Sequence, residues 1–111
     1  MTTQTDFIHP NLHVRHEQLA AVCEKWKIID FELFGSVLRE DFTAESDVDV
    51  MLTFAPNSRH TILDIVRIGN ELEALFGRPV DIAERRAVER SANHISRKSI
   101  LGSAKRVYAA V

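Results

Sequence analysis

The strictest constraint on the fold comes from the alternating segment DVDVMLTF, residues 47–54. Successive side chains of a β-strand point to opposite faces, so one face here would be wholly apolar, formed by Val48, Val50, Leu52 and Phe54. Asp47 and Asp49 would lie together on the other face. A strand with one apolar face needs a covering layer, which predicts a sheet packed against helices. Two adjacent carboxylates on such a strand repel each other unless a cation or a proton neutralises them.

The elements before this strand follow from periodicity and turn residues. Apolar positions at i, i+3, i+4 and i+7 predict a helix over residues 16–27, with Cys23 as a buried structural thiol in its apolar stripe. β-branched and aromatic residues predict a strand over residues 28–34. Residues 1–11 are polar, and we expect them to be loose.

The elements after residue 54 follow from the same signals. A helix is predicted over residues 59–76, with Ser58 as its N-cap and Gly77 just past its C-terminus. Its apolar side would comprise Ile62, Ile65, Val66, Leu72 and Phe76. A short strand is predicted over 80–83 and helical structure, in one or two pieces, over 86–102. Residues 106–111 fit either a last strand or a helix end.

Length and composition favour one folded domain over residues 1–111. The chain has 111 residues, of which 45% are hydrophobic and 27% charged. Its single cysteine excludes an internal disulfide. No apolar run is long enough to span a bilayer, and the start MTTQTDFIHP is unlike a secretory signal. We therefore expect a small α/β sandwich around one sheet and a cytoplasmic location.

Charge is distributed unevenly along the chain. The formal net charge is −2, yet 7 of the 14 basic residues and one of the 16 acidic residues lie within residues 85–111. This asymmetry indicates either an anionic partner for the C-terminal part or a solvated helix face. The overall charge argues against direct DNA binding.

A third acid completes a candidate catalytic site. Asp81 falls on the short strand after the long helix. If that strand lies beside residues 47–54, then Asp47, Asp49 and Asp81 converge and supply the hard oxygen ligands that Mg²⁺ prefers. Two such ions can clamp the attacking and leaving oxygens of a phosphoryl or nucleotidyl transfer.

A candidate phosphate site precedes these acids. Gly35 and Ser36 follow the predicted strand and open a helical turn, whose free N–H groups attract anions. Gly35 lacks the Cβ that would keep a phosphate from the backbone, Ser36 adds a hydroxyl, and Arg39 adds positive charge. The alternative is that Asp47 and Asp49 pair with Arg39 in a purely structural ion network.

These motifs resemble those of a known family. The segment FELFGSVLREDFTAESDVDVML, with ten residues between Gly-Ser and Asp-x-Asp, resembles the signature of DNA polymerase β-type nucleotidyltransferases. In particular it resembles the minimal nucleotidyltransferases, or MNT proteins. The segment GRPVDIAERRAVERSANHISRKSILGSAKRVYAA is similar to the second half of such proteins. The resemblance implies their small fold, a mixed sheet of three to four strands flanked by helices.

The resemblance also implies an activity. Family members of this size are commonly encoded beside a HEPN-domain protein, and the pair resembles a toxin–antitoxin system (HEPN/MNT) with the MNT protein as antitoxin. The family activity is transfer of AMP from ATP to a hydroxyl, typically of a tyrosine, of the HEPN partner. Carried onto this chain, Asp47 and Asp49 would bind two Mg²⁺ ions, and Asp81 would complete the site of the ion that activates the hydroxyl. Gly35 and Ser36 would hold the triphosphate.

Two other functions stay open at this point. An antitoxin with a vestigial site could neutralise its partner by contact alone, with the basic stretch 85–111 as docking surface. A transferase with a small-molecule or RNA acceptor is disfavoured, because the second domain with which larger relatives bind such substrates is absent. Glu40 departs from the family pattern, since many members have glycine directly after the arginine of the first motif.

Overall fold

A computed structural model of the chain describes residues 7–43 and 45–110, without the side chains of residues 94–97. In chain order its elements are β1 (Phe7–His9), β2 (Leu12–Arg15), α1 (His16–Trp26), β3 (Ile28–Phe34), a 3₁₀ turn (Gly35–Leu38), β4 (Val48–Phe54), α2 (Ile62–Phe76), β5 (Val80–Glu84), α3 (Arg85–Glu89), α4 (His94–Ser103) and β6 (Lys105–Ala109). No helix in these described ranges is long and apolar enough to cross a membrane.

The centre of the fold is a four-stranded mixed sheet in the order β5-β4-β3-β6. Strand β3 runs antiparallel to both β4 and β6, whereas β4 and β5 are parallel. Parallel neighbours need a crossover connection, and α2 supplies it. The predicted mixed sheet flanked by helices is confirmed, and the undecided C-terminal segment forms strand β6.

Helices α1 and α2 contribute to the hydrophobic core beside one face of the sheet. Leu19 and Cys23 of α1 are completely buried, as are Ile68 and Leu72 of α2. The ring of Phe31 on β3 meets the ring of Phe76 edge-on, with centroids 6.3 Å apart. Cys23 is the expected buried thiol, and burial raises its pKa to about 12.

The opposite face of the sheet carries a buried ion pair. Glu32 of β3 is only 6% exposed, and Nη1 of Arg85 donates to both of its carboxylate oxygens, at 2.7 and 2.8 Å. Nε of Arg85 also donates to Glu89 at 2.9 Å. Because α3 follows β5 directly, this pair ties the helical segment after β5 to the neighbouring strands.

Helix α2 begins later than the sequence pattern predicted. Its N-cap is Thr61, whose hydroxyl accepts from the backbone N–H of Asp64 while the Asp64 carboxylate accepts from the N–H of Thr61, both at 3.1 Å. This reciprocal arrangement is a capping box, and an acid three residues after the cap completes it. Ser58, the predicted cap, instead donates to the carbonyl of Ala55 at 2.7 Å. The predicted end at Gly77 is confirmed, with a left-handed φ of +74°.

The predicted apolar side of α2 is wrong at two positions. Ile62 is 85% exposed and Val66 is 51% exposed. The residues of α2 that contact the core include Ile65, Ile68, Leu72 and Phe76, which follow one another at helical spacing. Ile62 and Val66 lie to one side of this stripe, so the predicted apolar side was drawn too wide.

The expectation of a loose N-terminus is wrong for residues 7–11. Strands β1 and β2 pair antiparallel as a hairpin, and Ile8, Leu12 and Val14 are buried in the core. The amide side chain of Asn11 donates to the carbonyl of Val37 at 2.7 Å, which fastens the hairpin to the 3₁₀ turn. Residues 1–6 of the predicted loose segment lie outside the described residues.

Candidate functional site

Two of the three predicted carboxylates lie side by side on parallel strands. Asp49 of β4 is in register with Asp81 of β5. In-register residues of neighbouring strands project from the same face of a sheet, so their side chains are adjacent. Asp49 is half-buried and Asp81 is exposed. The conditional expectation that β5 lies beside β4 is therefore confirmed.

Asp47 lies one residue before β4, on the segment that leads into it, and its side chain is exposed. The hydroxyl of Ser36 donates to the main-chain carbonyl of Asp47 at 3.4 Å. The N–H of the next residue, Val48, donates to the carbonyl of Pro79 at 3.0 Å. Asp47 thus sits between the 3₁₀ turn and the start of β5.

The electrostatics of Asp49 show that the three acids form one group. Burial raises the pKa of Asp49, and the neighbouring carboxylates of Asp81 and Asp47 raise it further. Arg39 acts in the opposite direction and only partly offsets these effects. The ionised carboxylates therefore repel one another, and a cation beside them would relieve that repulsion.

A structural ion network does not account for these carboxylates. Within residues 7–43 and 45–110, no ion pair joins Asp47, Asp49 or Asp81 to an arginine or lysine whose side chain is described. The ion pair of Arg39 is with Asp41, at 3.1 Å between Nε and Oδ1, and both side chains are exposed. This contact turns part of the Arg39 guanidinium toward solvent.

Gly35 packs directly against the Asp49 carboxylate. Its φ is +77°, a left-handed value that L side chains rarely adopt. A Cβ at this position would collide with Oδ2 of Asp49 and lie 3.3 Å from its Cγ. The structure thus adds a second reason for this glycine: it makes room for the carboxylate.

A cleft opens beside Gly35, between the 3₁₀ turn and α4. It has a volume of about 570 Å³, within the range of small-molecule sites, and Phe34, Leu38, Arg39, Ser99 and Ile100 line it. Sequence reasoning missed the contribution of α4, because Ser99 and Ile100 belong to no motif and only the tertiary fold brings them here. Arg97, one of the basic residues of the predicted docking surface, has a side chain outside the described set.

A second cavity of about 270 Å³ lies at the other end of the sheet, with Thr53, His60, Glu84 and Arg86 in its wall. Thr53 is four residues beyond Asp49 on β4, which corresponds to about 13 Å at the usual rise of a strand. This cavity is therefore separate from the carboxylate group.

The donor set fits a hard divalent cation. Among the described side chains, no three His, Cys, Asp or Glu groups already surround a single metal position. Mg²⁺, however, usually takes only one or two carboxylates from the protein and completes its shell with water and substrate phosphates. The adjacent pair Asp49 and Asp81, with Asp47 close by, meets that requirement.

A family model of the nucleotidyltransferase domain matches residues 16–107, a range that contains every residue of the site described above. The chain belongs to the nucleotidyltransferase family. Nucleotidyltransferases use a nucleoside triphosphate and a divalent metal, in keeping with a carboxylate group next to a glycine-serine turn.

Individual relatives agree with this assignment. The nucleotidyltransferase chain is 31% identical over 77 residues to MJ1379 of Methanocaldococcus jannaschii, which is named as a protein adenylyltransferase; the match covers 69% of this chain and 74% of that protein. A solved structure described as a minimal nucleotidyltransferase is 30% identical, with a TM-score of 0.61 and coverage of 80% of this chain and 85% of that one.

More distant structures share the fold. A toxin–antitoxin complex with AMP-PNP contains a chain 16% identical to this one, with a TM-score of 0.65 and coverage of 85% and 73% of the two chains. A complex of a tri-AMPylated Shewanella oneidensis HEPN toxin with its MNT antitoxin gives 16% identity, a TM-score of 0.57 and coverage of 85% and 69%. The minimal nucleotidyltransferase fold is therefore shown for this chain.

Proposed function

We propose that this nucleotidyltransferase is an antitoxin that transfers AMP from ATP, with Mg²⁺, to a tyrosine hydroxyl of a HEPN toxin. The observation that carries the proposal is the carboxylate pair Asp49 and Asp81, in register and packed against Gly35. The fold neighbours that are complexes of HEPN toxin and MNT antitoxin, one of them tri-AMPylated, support the choice of acceptor.

In this proposal each site residue has a defined role. Asp47 and Asp49 hold two Mg²⁺ ions, and Asp81 completes the site of one of them. The metal, when bound, neutralises the charge that develops on the phosphate oxygens. Gly35 and Ser36 bind the triphosphate through backbone N–H groups and the serine hydroxyl.

Arg39 adds positive charge beside the triphosphate, and its ion pair with Asp41 holds the side chain at the rim of the 570 Å³ cleft. A guanidinium at this place favours a polyphosphate over a neutral ligand. Glu40, at the position where many relatives have glycine, is exposed.

The transfer itself is a single displacement at the α-phosphorus. The acceptor hydroxyl oxygen forms a bond to the α-phosphorus, the bond from that phosphorus to the bridging oxygen breaks, and pyrophosphate leaves. The hydroxyl proton passes to Asp81 or to water. Asp81 is the exposed member of the carboxylate pair, which makes it accessible to an acceptor from outside.

The proposal is tested by co-expressing this chain with the protein encoded by the gene next to its own, which the proposal takes to be the HEPN toxin. The intact mass of that protein is measured after expression with the wild-type chain, with the Asp47→Asn/Asp49→Asn variant, and with Glu24→Gln as a control for an exposed acid on α1. We expect a gain of whole AMP units with the wild type and the control, and none with the double variant. Peptide mapping then locates the acceptor residue.

Other outcomes contradict the proposal in distinguishable ways. An unmodified partner that is neutralised equally well by the wild type and the double variant would show an antitoxin that acts by contact alone. Labelled AMP on RNA or on a small molecule, but not on protein, would show a different acceptor. Full transfer by the double variant would mean that the carboxylates are not catalytic.

A further inference from the structure

Arg78 links the segment before Asp47 to the segment before Asp81. Its Nη1 donates to the carbonyl of Thr43 at 2.8 Å and to the carbonyl of Ser46 at 3.2 Å. The guanidinium carbon lies 4.5 Å from the centroid of the Phe42 ring, in a cation–π contact. We call Arg78, these two carbonyls and the Phe42 ring the Arg78 clamp.

The backbone is hydrogen-bonded on both sides of Asp47, and the clamp supplies the hydrogen bond on one of them. Ser46, just before Asp47, is held through its carbonyl by Arg78, and Val48, just after it, donates its N–H to the carbonyl of Pro79 at 3.0 Å. Residues 78 and 79 lead directly into β5, which carries Asp81. The backbone on both sides of Asp47 is therefore tied to the strand that carries Asp81.

The clamp acts on geometry rather than on charge. Arg39 is the cation that lowers the pKa of Asp49. Arg78 is half-buried, and its Nη1 donates to two main-chain carbonyls, whereas its Nε is buried without a hydrogen-bond partner among the described residues. A planar guanidinium can donate through Nη1 and stack on a ring at the same time, whereas a lysine ammonium is a compact charge on a flexible stem.

We propose that Arg78 is a positioning residue for the metal site: by clamping the carbonyls of Thr43 and Ser46, it holds the backbone that leads to Asp47 beside the strand that carries Asp81, so that less of the chain has to be ordered when a divalent cation binds. This inference rests on the proposed function, because it takes Asp47 as a metal ligand. Arg78 contacts neither the cation nor the substrate. Its removal weakens cation binding because the carboxylates must then be ordered by the cation itself.

Direct measurement of Mn²⁺ binding tests the inference without transfer activity or a partner. Mn²⁺ suits the same oxygen ligands as Mg²⁺, and the free ion is counted by its electron paramagnetic resonance signal. We expect Arg78→Lys to bind Mn²⁺ about tenfold more weakly than the wild type. Arg67→Lys, a matched change at an exposed arginine of α2, should leave binding unchanged.

A double-mutant cycle distinguishes a positioning role of Arg78 from a general loss of structure. If Arg78 acts through Asp47, then Arg78→Lys should weaken Mn²⁺ binding in the wild-type background and have no further effect in an Asp47→Asn background. Melting temperatures of all variants are measured alongside. Should Arg78→Lys fail to fold, Phe42→Leu removes the ring contact with Arg78 and keeps an apolar side chain against the core, and we expect it to weaken binding two- to threefold.

The outcomes also separate this inference from the proposed function. If Arg78→Lys binds Mn²⁺ as tightly as the wild type, the positioning role of Arg78 is overturned and the proposed function is not. Where Arg78→Lys fails to fold, wild-type binding by Phe42→Leu has the same meaning. Equal losses in the wild-type and Asp47→Asn backgrounds would also overturn it, because the effect would not pass through Asp47. If Arg78→Lys binds Mn²⁺ more weakly but the wild-type chain transfers no AMP to the toxin, the positioning role of Arg78 is supported and the proposed acceptor is overturned. Absence of Mn²⁺ binding by the wild type would overturn both.

Discussion

Replacement of Gly35 by alanine tests how closely the 3₁₀ turn and the catalytic carboxylates are packed. Alanine at a φ of +77° is strained by about 1–2 kcal/mol. The new Cβ would also collide with Oδ2 of Asp49, so the carboxylate or the turn has to move. Forcing extra volume into a packed site adds about 1–3 kcal/mol. We therefore expect Gly35→Ala to lower the free energy of unfolding by about 2–5 kcal/mol.

Gly77→Ala provides a matched control. Gly77 has almost the same left-handed backbone, with φ +74°, but a Cβ there would meet no atom within 4 Å. This variant should lose only the backbone contribution, about 1–2 kcal/mol, at about 4 °C in melting temperature per kcal/mol for a domain of this size. The difference between the two variants isolates the collision with Asp49.

The assay combines thermal unfolding with the rate of AMP transfer. A displacement of about 1 Å in a catalytic group can lower the rate about a hundredfold, so Gly35→Ala should be at least that much slower at a temperature where it remains folded. Gly77→Ala should transfer at the wild-type rate. Equal activity and equal stability of the two variants would refute the argument that Gly35 is there to admit the Asp49 carboxylate.

Three further predictions follow from buried or crowded groups. Burial and the neighbouring acids raise the pKa of Asp49 in the folded chain, so the free energy of unfolding should fall as pH rises through that pKa. The variant Asp49→Asn should therefore melt no lower than the wild type at pH 7 without divalent cations. A lower melting temperature of the variant would contradict this reasoning. Arg85→Met should destabilise the fold by about 3–5 kcal/mol in urea titrations, because it leaves Glu32 buried and unpaired. Glu32→Gln should lower the free energy of unfolding by less than Arg85→Met does, because Arg85 is one-third exposed and retains its ion pair with Glu89. A larger loss of stability in Glu32→Gln would count against this explanation. Cys23 should react with iodoacetamide at pH 8 only as fast as the chain unfolds, since burial raises its pKa to about 12; faster labelling would show local opening of α1.

The sequence predicted the elements that carry strong local signals. Alternation in residues 47–54 and periodicity in residues 16–27 correspond to β4 and α1 within one residue. The end of α2 at Gly77 was also predictable, because a left-handed C-terminal residue favours glycine. Its start was predicted wrongly, although Thr61 and Asp64 show the spacing of a capping box.

Burial was harder to predict than secondary structure. Ile62 and Val66 are apolar residues of α2, yet they are exposed because they lie beside the stripe of Ile65, Ile68 and Leu72 that faces the core. Glu32 and Arg85 are 53 residues apart, and only the packing of α3 beside the sheet makes them a buried pair. The hairpin of residues 7–15 likewise depends on contacts with the rest of the core.

The candidate site divides in the same way. The sequence by itself determined which residue types are available and that Asp47 and Asp49 lie close together, because they are only two residues apart in the chain, although β4 begins at Val48 and leaves Asp47 just before the strand. Only the tertiary structure decided that Asp81 is in register with Asp49, that Gly35 packs on that carboxylate, and that Arg78 holds the backbone before Asp47. The physical reason is that strand order, register and side-chain contacts across the chain depend on how the whole core packs, which no short segment encodes.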